Sequence, residues 1–301
     1  MATTPVPAVD RAVTILRLLT ERWDAPWTLS EISRETEIHK ATCAALLGRL
    51  VAHGFVRRTA DKSYMLGPEM LSMAFGYARR HPGFTLARQE IFGLADRTGL
   101  GCSICVPDGD ELVILDVAGD VQPTYLPTRI GRRLPFAPPL GNIFRAWSTP
   151  DEIERWLSQT ASDYDLDLDQ LVQVVSNIRS RGYSLGSEQD FDIKLDAVMR
   201  RLERQDTDLA GISVALMLAD KIRAYQGGQG GALEHHEGSV DYIVGPVFDH
   251  RGRVVMSIQL FGAPGQIPNS KVEALASELL AATRRITSSV GGMLPASSAP
   301  V

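Results

Sequence analysis

Two short stretches near the start of the chain carry the residue types that contact a polyanion, at usable spacing. The first is His39-Lys40-Ala41-Thr42, followed at helical intervals by Ala45 and Arg49. If this stretch opens a helix, its first turn reaches base edges in the major groove of duplex DNA. The second is Arg57-Arg58, with Lys62 four residues beyond. These cations suit phosphates, which position a protein on a duplex but report little sequence. Ser30, His39, Lys40, Ala41, Thr42, Ala45, Arg49, Arg57, Arg58 and Lys62 are therefore the candidate DNA-binding residues. The charge balance agrees. Residues 1–80 hold 11 Lys/Arg against 8 Asp/Glu, while the remainder holds 20 against 28, within a net charge of -5. A basic head on an acidic body suits contact with DNA at one end only.

Other chemistries find little support. Cys102 and Cys105 sit three apart on an expected strand and so face opposite sides of it, and no second pair completes a zinc site. His235-His236, between Glu234 and Glu237, reads as a solvated loop more readily than as metal ligands. No G-x-S-x-G, P-loop or Rossmann glycine pattern is present. The expectation is no catalytic residue, no metal, no cofactor and no enzyme. Trp23, Trp27, Trp147 and Trp156 read as packing residues. Three cysteines and no secretory leader suit a reduced cytoplasm. No run of about 18 apolar residues suggests a membrane span.

The elements that must position the basic residues follow from periodicity. Val9, Ala12, Val13, Leu16 and Leu19 predict a helix over 9–22, with Asp10 as its cap. A short second helix follows, with Ser30 as its cap. A third runs from Ala41 to His53, with Gly54 as its left-handed stop. Phe55–Arg58 and Ser63–Leu66 predict a hairpin across Thr59-Ala60-Asp61-Lys62. Three helices and a basic hairpin make a winged helix-turn-helix, although an ordinary three-helix core with solvated charges has the same outline.

At 301 residues and 44% hydrophobic content the chain has room for a second domain. A helix over 84–98, strands at 101–106 and 111–117, and a strand near 123–130 open it. Helices follow at 140–147, 150–159 and 169–181, then strands at 240–248 and 253–261 and a helix at 271–290. The expected boundaries are 1–67 for the DNA-binding domain, 68–82 for a linker helix, 83–294 for the second domain and 295–301 for a loose tail.

The ordered set Thr28-Leu29-Ser30-Glu31-Ile32, His39 to Leu47, Gly54-Phe55-Val56-Arg57-Arg58 and Tyr64-Met65-Leu66-Gly67 resembles the N-terminal domain of IclR-family bacterial regulators. It departs at Glu37, where that family has glycine, and at Ala45, where it has arginine. The resemblance continues through Gly131–Ala137, Gly141–Ala146, Ile178–Tyr183, Val244–Asp249 and Arg253–Gly262. It implies an α+β chain: a winged helix-turn-helix joined by a linker helix to a GAF-like α/β effector-binding domain, here with a helical insertion at about 189–233. That insertion has three open roles: pocket cover, partner surface or dimer contact.

The resemblance also implies an effector pocket lined by Tyr125, Phe136, Pro139, Leu140, Gly141, Tyr242, Gln259 and Phe261. Gln259 and Phe261 replace the family's small hydroxyl residues, which favours a flatter or more apolar effector. These residues filling a core is the competing reading. The expected partners are double-stranded operator DNA, a small-molecule effector and further copies of the chain as a homodimer or homotetramer. The rival is a DNA-bound adaptor with a closed pocket whose insertion binds a protein.

Overall fold

Helix α1 (Pro7–Glu21) starts at a proline, whose missing N–H has no helical partner at that position. Val6 is its N-cap, and Asp10 lies inside the first turn instead of capping it. The computed structural model describes residues 6–22, 25–119, 130–136, 140–164, 168–186, 239–262 and 267–295. It divides into two compact units, 1–81 and 82–301.

In the first unit, α2 (Leu29–Glu35) is capped by Thr28, not by Ser30. A capping box needs an acid three residues after the cap, and Glu31 supplies it to Thr28. The Thr28 amide donates to Glu31 Oε2 at 2.8 Å, and the Glu31 amide donates to Thr28 Oγ1 at 3.2 Å. Helix α3 (Lys40–Ala52) follows, with His39 as N-cap; its Nδ1 accepts from the Ala41 amide at 3.3 Å. Gly54 ends it at φ 74°. Strands β1 (Val56–Arg58) and β2 (Tyr64–Leu66) pair antiparallel, Val56 opposite Leu66. Trp27 and Tyr64 exchange two backbone hydrogen bonds, of 2.8 and 2.7 Å, which adds a bridge to this hairpin. The core gathers Ile15, Leu19, Trp27, Ile32, Cys43, Leu47, Val56 and Tyr64. Helix α4 (Glu69–Ala78) closes the unit with no buried residue.

The turn between α2 and α3 carries Glu37 at φ 55°. A side chain in this left-handed region costs roughly 1 kcal/mol relative to glycine. Glu37→Gly is therefore expected to raise the stability of this unit by about 0.5–1 kcal/mol. Thermal unfolding checks it: an unchanged or lowered midpoint would show that the turn is not strained.

The second unit is a six-stranded antiparallel sheet between two helical layers. Its strands are β3 (Gly101–Asp108), β4 (Glu111–Ala118), β5 (Arg133–Pro135), β6 (Ser184–Gly186), β8 (Tyr242–Phe248) and β9 (Val254–Phe261). Their order is β5-β4-β3-β9-β8-β6. A separate ribbon pairs β7 (Ser239–Val240) with β10 (Ile267–Pro268). Helices α5 (Phe84–Thr98) and α9 (Asn269–Ser289) cover one face, burying Ile91, Leu94, Leu279 and Ile286 against Cys102, Ile104, Met256 and Ile258. The other face packs Cys105, Leu112 and Ile114 against α6 (Asn142–Arg145), α7 (Pro150–Tyr164) and α8 (Leu168–Arg181). Cys102 and Cys105 thus lie on opposite faces, and burial pushes both thiols up to about 12. This is the α+β architecture expected from the sequence.

Differences are local. The helix expected at 140–147 is a single turn, and Arg179 of α8 holds the chain just beyond its end. Its Nε donates to Ala146 O at 2.6 Å and its Nη2 to Ser148 O at 2.8 Å. β5, at 133–135, was not anticipated; the strand expected near 123–130 and the 189–233 insertion lie outside the described residues, as do 296–301.

Candidate nucleic-acid interface and effector layer

Helix α3 divides cleanly into two sides. Cys43 and Leu47 are buried, while Lys40, Ala41, Ala44, Ala45, Gly48 and Arg49 are exposed and Thr42 is half-buried. The helix is held by its inner side and offers the outer one to a groove. Lys40 Nζ donates to Ser30 Oγ at 2.9 Å, tying the first turn of α3 to α2. Near the other end, Arg49 Nη2 lies 3.0 Å from His53 Nε2. Ser30, His39, Lys40, Ala41, Ala45 and Arg49 are all solvent-facing.

The hairpin holds the remaining cations. Register sets Arg57 opposite Met65 and Arg58 opposite Tyr64. Arg57 Nη2 sits 2.9 Å from Met65 Sδ, and the Arg58 guanidinium lies 5.7 Å from the Tyr64 ring centroid. Among the described residues neither is tied to a carboxylate, and both are exposed. Lys62 occupies the turn at φ 67°. The turn is built by Thr59, whose Oγ1 accepts from the Ser63 amide at 3.1 Å and whose carbonyl accepts from the Lys62 amide at 3.1 Å. A hydrogen bond from the Thr59 hydroxyl holds the Asp61 carboxyl below its usual value, so the tip keeps one anion among its cations.

Sequence reasoning passed over Ala44 and Gly48. Both lie on the exposed side of α3; Ala44 follows Ala41 and Lys40 by three and four residues, and Gly48 follows Ala45 and Ala44 likewise, which carried that signal. Arg22 was also missed; its guanidinium stacks 3.9 Å from the Trp27 ring centroid and pairs with Glu31 at 3.3 Å.

In the second unit, the residues expected around an effector fall into two groups. Tyr242, Gln259 and Phe261 lie on neighbouring strands, Tyr242 opposite Phe261 and Gln259 opposite Val244. Phe261 is 2% exposed, with its ring over Gly101, where a Cβ would come within 2.3 Å of it. Tyr242 leans the other way, over Gly186. The two rings therefore spread apart along the sheet. Phe136, Leu140 and Gly141 sit near the start of α6. Phe136 packs edge-on to Phe144 at 5.7 Å between centroids and tilts against Trp156 at 6.0 Å. Trp156 Nε1 donates to the Phe136 carbonyl at 2.9 Å. Gly141 is wedged between these rings, since a Cβ there would lie 2.7 Å from both. Tyr125 and Pro139 lie outside the described residues.

Three polar groups that the sequence did not single out appear on the layer of α6. Ser103 is 0% exposed and Asn142 4% exposed. Among the described residues neither Ser103 Oγ nor Asn142 Oδ1 has a hydrogen-bond partner, and the same holds for Arg145 Nε. No group of three or more His, Cys, Asp or Glu able to hold a metal occurs among the described residues. No described helix is long and apolar enough to cross a membrane.

Comparison with known proteins bears on both units. Residues 8–60 match the IclR helix-turn-helix domain. The chain is 26% identical over 192 residues to the HTH-type transcriptional regulator XynR of Escherichia coli, covering 62% of this chain and 76% of that protein. The crystal structure of the Thermotoga maritima IclR superposes with a TM-score of 0.64 at 18% identity, covering 94% of this chain and 98% of that one. An IclR homolog from Microbacterium hydrocarbonoxydans, solved in complex with 4-hydroxybenzoate, superposes with a TM-score of 0.53 at 16% identity, covering 93% and 98%. These likenesses establish the shared fold.

Proposed function

We propose that this chain, whose residues 8–60 match the IclR helix-turn-helix domain, is a DNA-binding transcription regulator that binds operator DNA through α3 and the β1–β2 hairpin and answers to a small organic effector held in the second unit. The observation that carries this reading is the division of α3. One side is buried by Cys43 and Leu47, and the other exposes Lys40, Ala41, Ala45 and Arg49, the residues that would face a major groove. Arg57, Arg58 and Lys62 supply the phosphate contacts. Ala45 takes the place of an arginine and offers a methyl group, which suits apolar contact with thymine more than hydrogen bonding to guanine.

The effector class that fits is a small organic molecule, aromatic or apolar over much of its surface. The Microbacterium homolog was solved in complex with an aromatic acid, 4-hydroxybenzoate. Two copies of the chain act together in this reading, each head engaging one half-site. Helix α4 supports that arrangement, since it leaves Leu71 and Phe75, one turn apart and each 62% exposed, uncovered by its own unit. Effector binding then shifts the population of head spacings that fit both half-sites.

The test is gel retardation of fragments from the gene's own upstream region at low ionic strength, with aromatic and aliphatic acids absent and present. A retarded fragment whose affinity changes with one of the acids is the expected result. Failure to retard any fragment under either condition sinks the reading. A second reading, a DNA-bound adaptor with no effector, is favoured by the close packing of Phe136, Gly141 and Trp156. Retardation that no small molecule alters would select it.

A further inference from the structure

Two histidines stand at the ends of α3, and both serve as hydrogen-bond acceptors. His39 is the N-cap, where its Nδ1 accepts from the Ala41 amide at 3.3 Å. His53 is the C-cap, and Arg49 Nη2 lies 3.0 Å from its Nε2. A guanidinium has donors only, so the His53 nitrogen accepts. An imidazole nitrogen accepts only while it carries no proton, and in the neutral ring the other nitrogen carries it. The geometry therefore holds both rings neutral, with the proton on Nε2 of His39 and on Nδ1 of His53. Serine, threonine, asparagine and aspartate are the usual caps, and none of them changes charge near neutral pH. A histidine does.

Both rings are exposed, and both belong to the side that meets DNA in the reading above. Ala41, Ala45, Arg49 and His53 follow one another at four-residue steps, and His39 directly precedes Lys40 in the first turn. The surrounding charges are committed elsewhere. Helix α3 packs against α2, β1 and α1. On α2, Glu31 is engaged by Thr28 and Arg22, and Arg34 pairs with Glu35 at 3.0 Å. On β1, Arg57 and Arg58 rest on Met65 and Tyr64. Helix α1 carries Asp10, Arg11 and Arg17, all exposed. Lys40 is tied to Ser30. Glu37 lies in the turn before His39, and Glu69 opens α4 beyond Gly54. Among the described residues no carboxylate is bonded to either ring. Carboxylates stay ionised near neutrality, and burial pushes the Cys43 thiol up, away from that range.

Protonation would therefore change both ends of the helix. His39 Nδ1 stops accepting and becomes a donor, which releases the Ala41 amide. At the amide end of a helix that charge is unfavourable until an anion faces it. His53 Nε2 likewise becomes a donor, and the charged ring repels Arg49 and frees its guanidinium. In the free chain these changes break two hydrogen bonds. Against a duplex they add two cationic donors where phosphates accept. We propose that DNA binding by α3 is proton-linked: the complex draws a proton from solvent onto each of His39 and His53, so the chain grips DNA more tightly in mild acid. This rests on the reading of α3 as the DNA-binding helix and adds its regulation. The bound state holds more protons than the free one, so affinity falls as pH rises through the histidine range.

The experiment is fluorescence anisotropy of the intact chain on a duplex from the gene's own upstream region, at about pH 6 and about pH 8 and at several salt concentrations. Affinity is expected to be about 15-fold higher per head at the lower pH, from two phosphate contacts at about fourfold each. The salt slope should steepen there by about 1.8, at roughly 0.9 per contact. His39→Asn and His53→Gln test the assignment, with each variant's affinity at one pH compared with its own at the other. Both amides keep an acceptor oxygen and gain no charge. Each single variant loses about fourfold of the acid gain, and the double variant loses all of it. His39→Ser, which also caps a helix, is the second variant should asparagine disturb the turn. His250→Gln, in an exposed turn of the second unit, keeps the full gain. Affinity and slope that do not respond to pH overturn the proposal. So does a gain that survives in the double variant, which would belong to His81 or the amino terminus. Binding that is equal at both pH values defeats this inference alone, whereas no binding to any fragment at either pH defeats the regulator reading with it.

Discussion

Replacing Arg57, Arg58 and Lys62 together with alanine is expected to weaken binding to every DNA sequence by about 60-fold at physiological salt and to flatten its salt dependence. The magnitude follows from counterion release. A non-specific affinity of about 10⁵ M⁻¹ spread over roughly eight phosphate contacts assigns about fourfold to each, and three contacts are lost per chain. The slope of log affinity against log salt should fall in magnitude by about 2.7, at roughly 0.9 per phosphate. The structure favours a clean experiment. All three side chains are exposed, and among the described residues none is tied to a carboxylate. What is lost is the Arg57 contact to Met65 and the stacking of Arg58 on Tyr64, surface interactions of small energy. Binding curves at several salt concentrations decide it: an unchanged slope removes the hairpin from the interface. The ratio between operator and unrelated DNA should change little, because phosphate contacts carry little sequence information.

Gly67→Ala is expected to destabilise the first unit by about 3 kcal/mol or more, among the largest effects of a single methyl group. A Cβ at position 67 would lie 2.1 Å from the Gly54 carbonyl oxygen and 2.9 Å from the Phe55 carbonyl carbon. Both obstacles are backbone, so no side chain can swing aside. The same backbone is doubly committed. The Gly67 amide donates to Phe55 O at 2.7 Å, and the Glu69 amide donates to Gly54 O at 3.2 Å. Relieving the clash pulls apart the end of α3, the start of β1 and the entry to α4 together. DNA binding should be lost along with folded structure in this unit, and the second unit should keep its own unfolding transition. A variant that melts like the parent would show that these strands can separate without cost.

The two glycines illustrate what was legible and what was not. Gly54 could be read as a helix stop, since a left-handed residue after an apolar-periodic stretch is a local signal. Gly67 could be read as the end of a hairpin, but its reason is a contact across 13 positions that no local pattern encodes. The caps divide in the same way. Ser30 and Thr28 are both plausible N-caps by type, and Glu31 decides between them by its spacing. That decision was available in the sequence. Glu37 is a comparable case: its departure from glycine was visible, but its left-handed backbone appears only in the folded turn.

The site in the second unit was less legible. Phe136 and Gly141 were expected to line an effector pocket, but nothing in the sequence showed that Trp156, twenty residues from Phe136, packs against both. Ser103 was indistinguishable from its neighbours, because a lone serine in an apolar strand says nothing about which groups will lie across from it. Arg145 gave no signal either, since how far a guanidinium is buried depends on the layers that surround it in space.

The amino-acid pattern alone determined the order and type of the longer elements, the location of the basic head and the two faces of the cysteine-bearing strand. These depend on periodicity, capping and charge within a few neighbouring residues. Tertiary structure decided which polar groups are stranded, which rings close on Gly141 and which carbonyls Arg179 takes. Those outcomes depend on strand neighbours and helix layers contributed by segments dozens of residues apart, and burial has no meaning for a side chain until those segments meet.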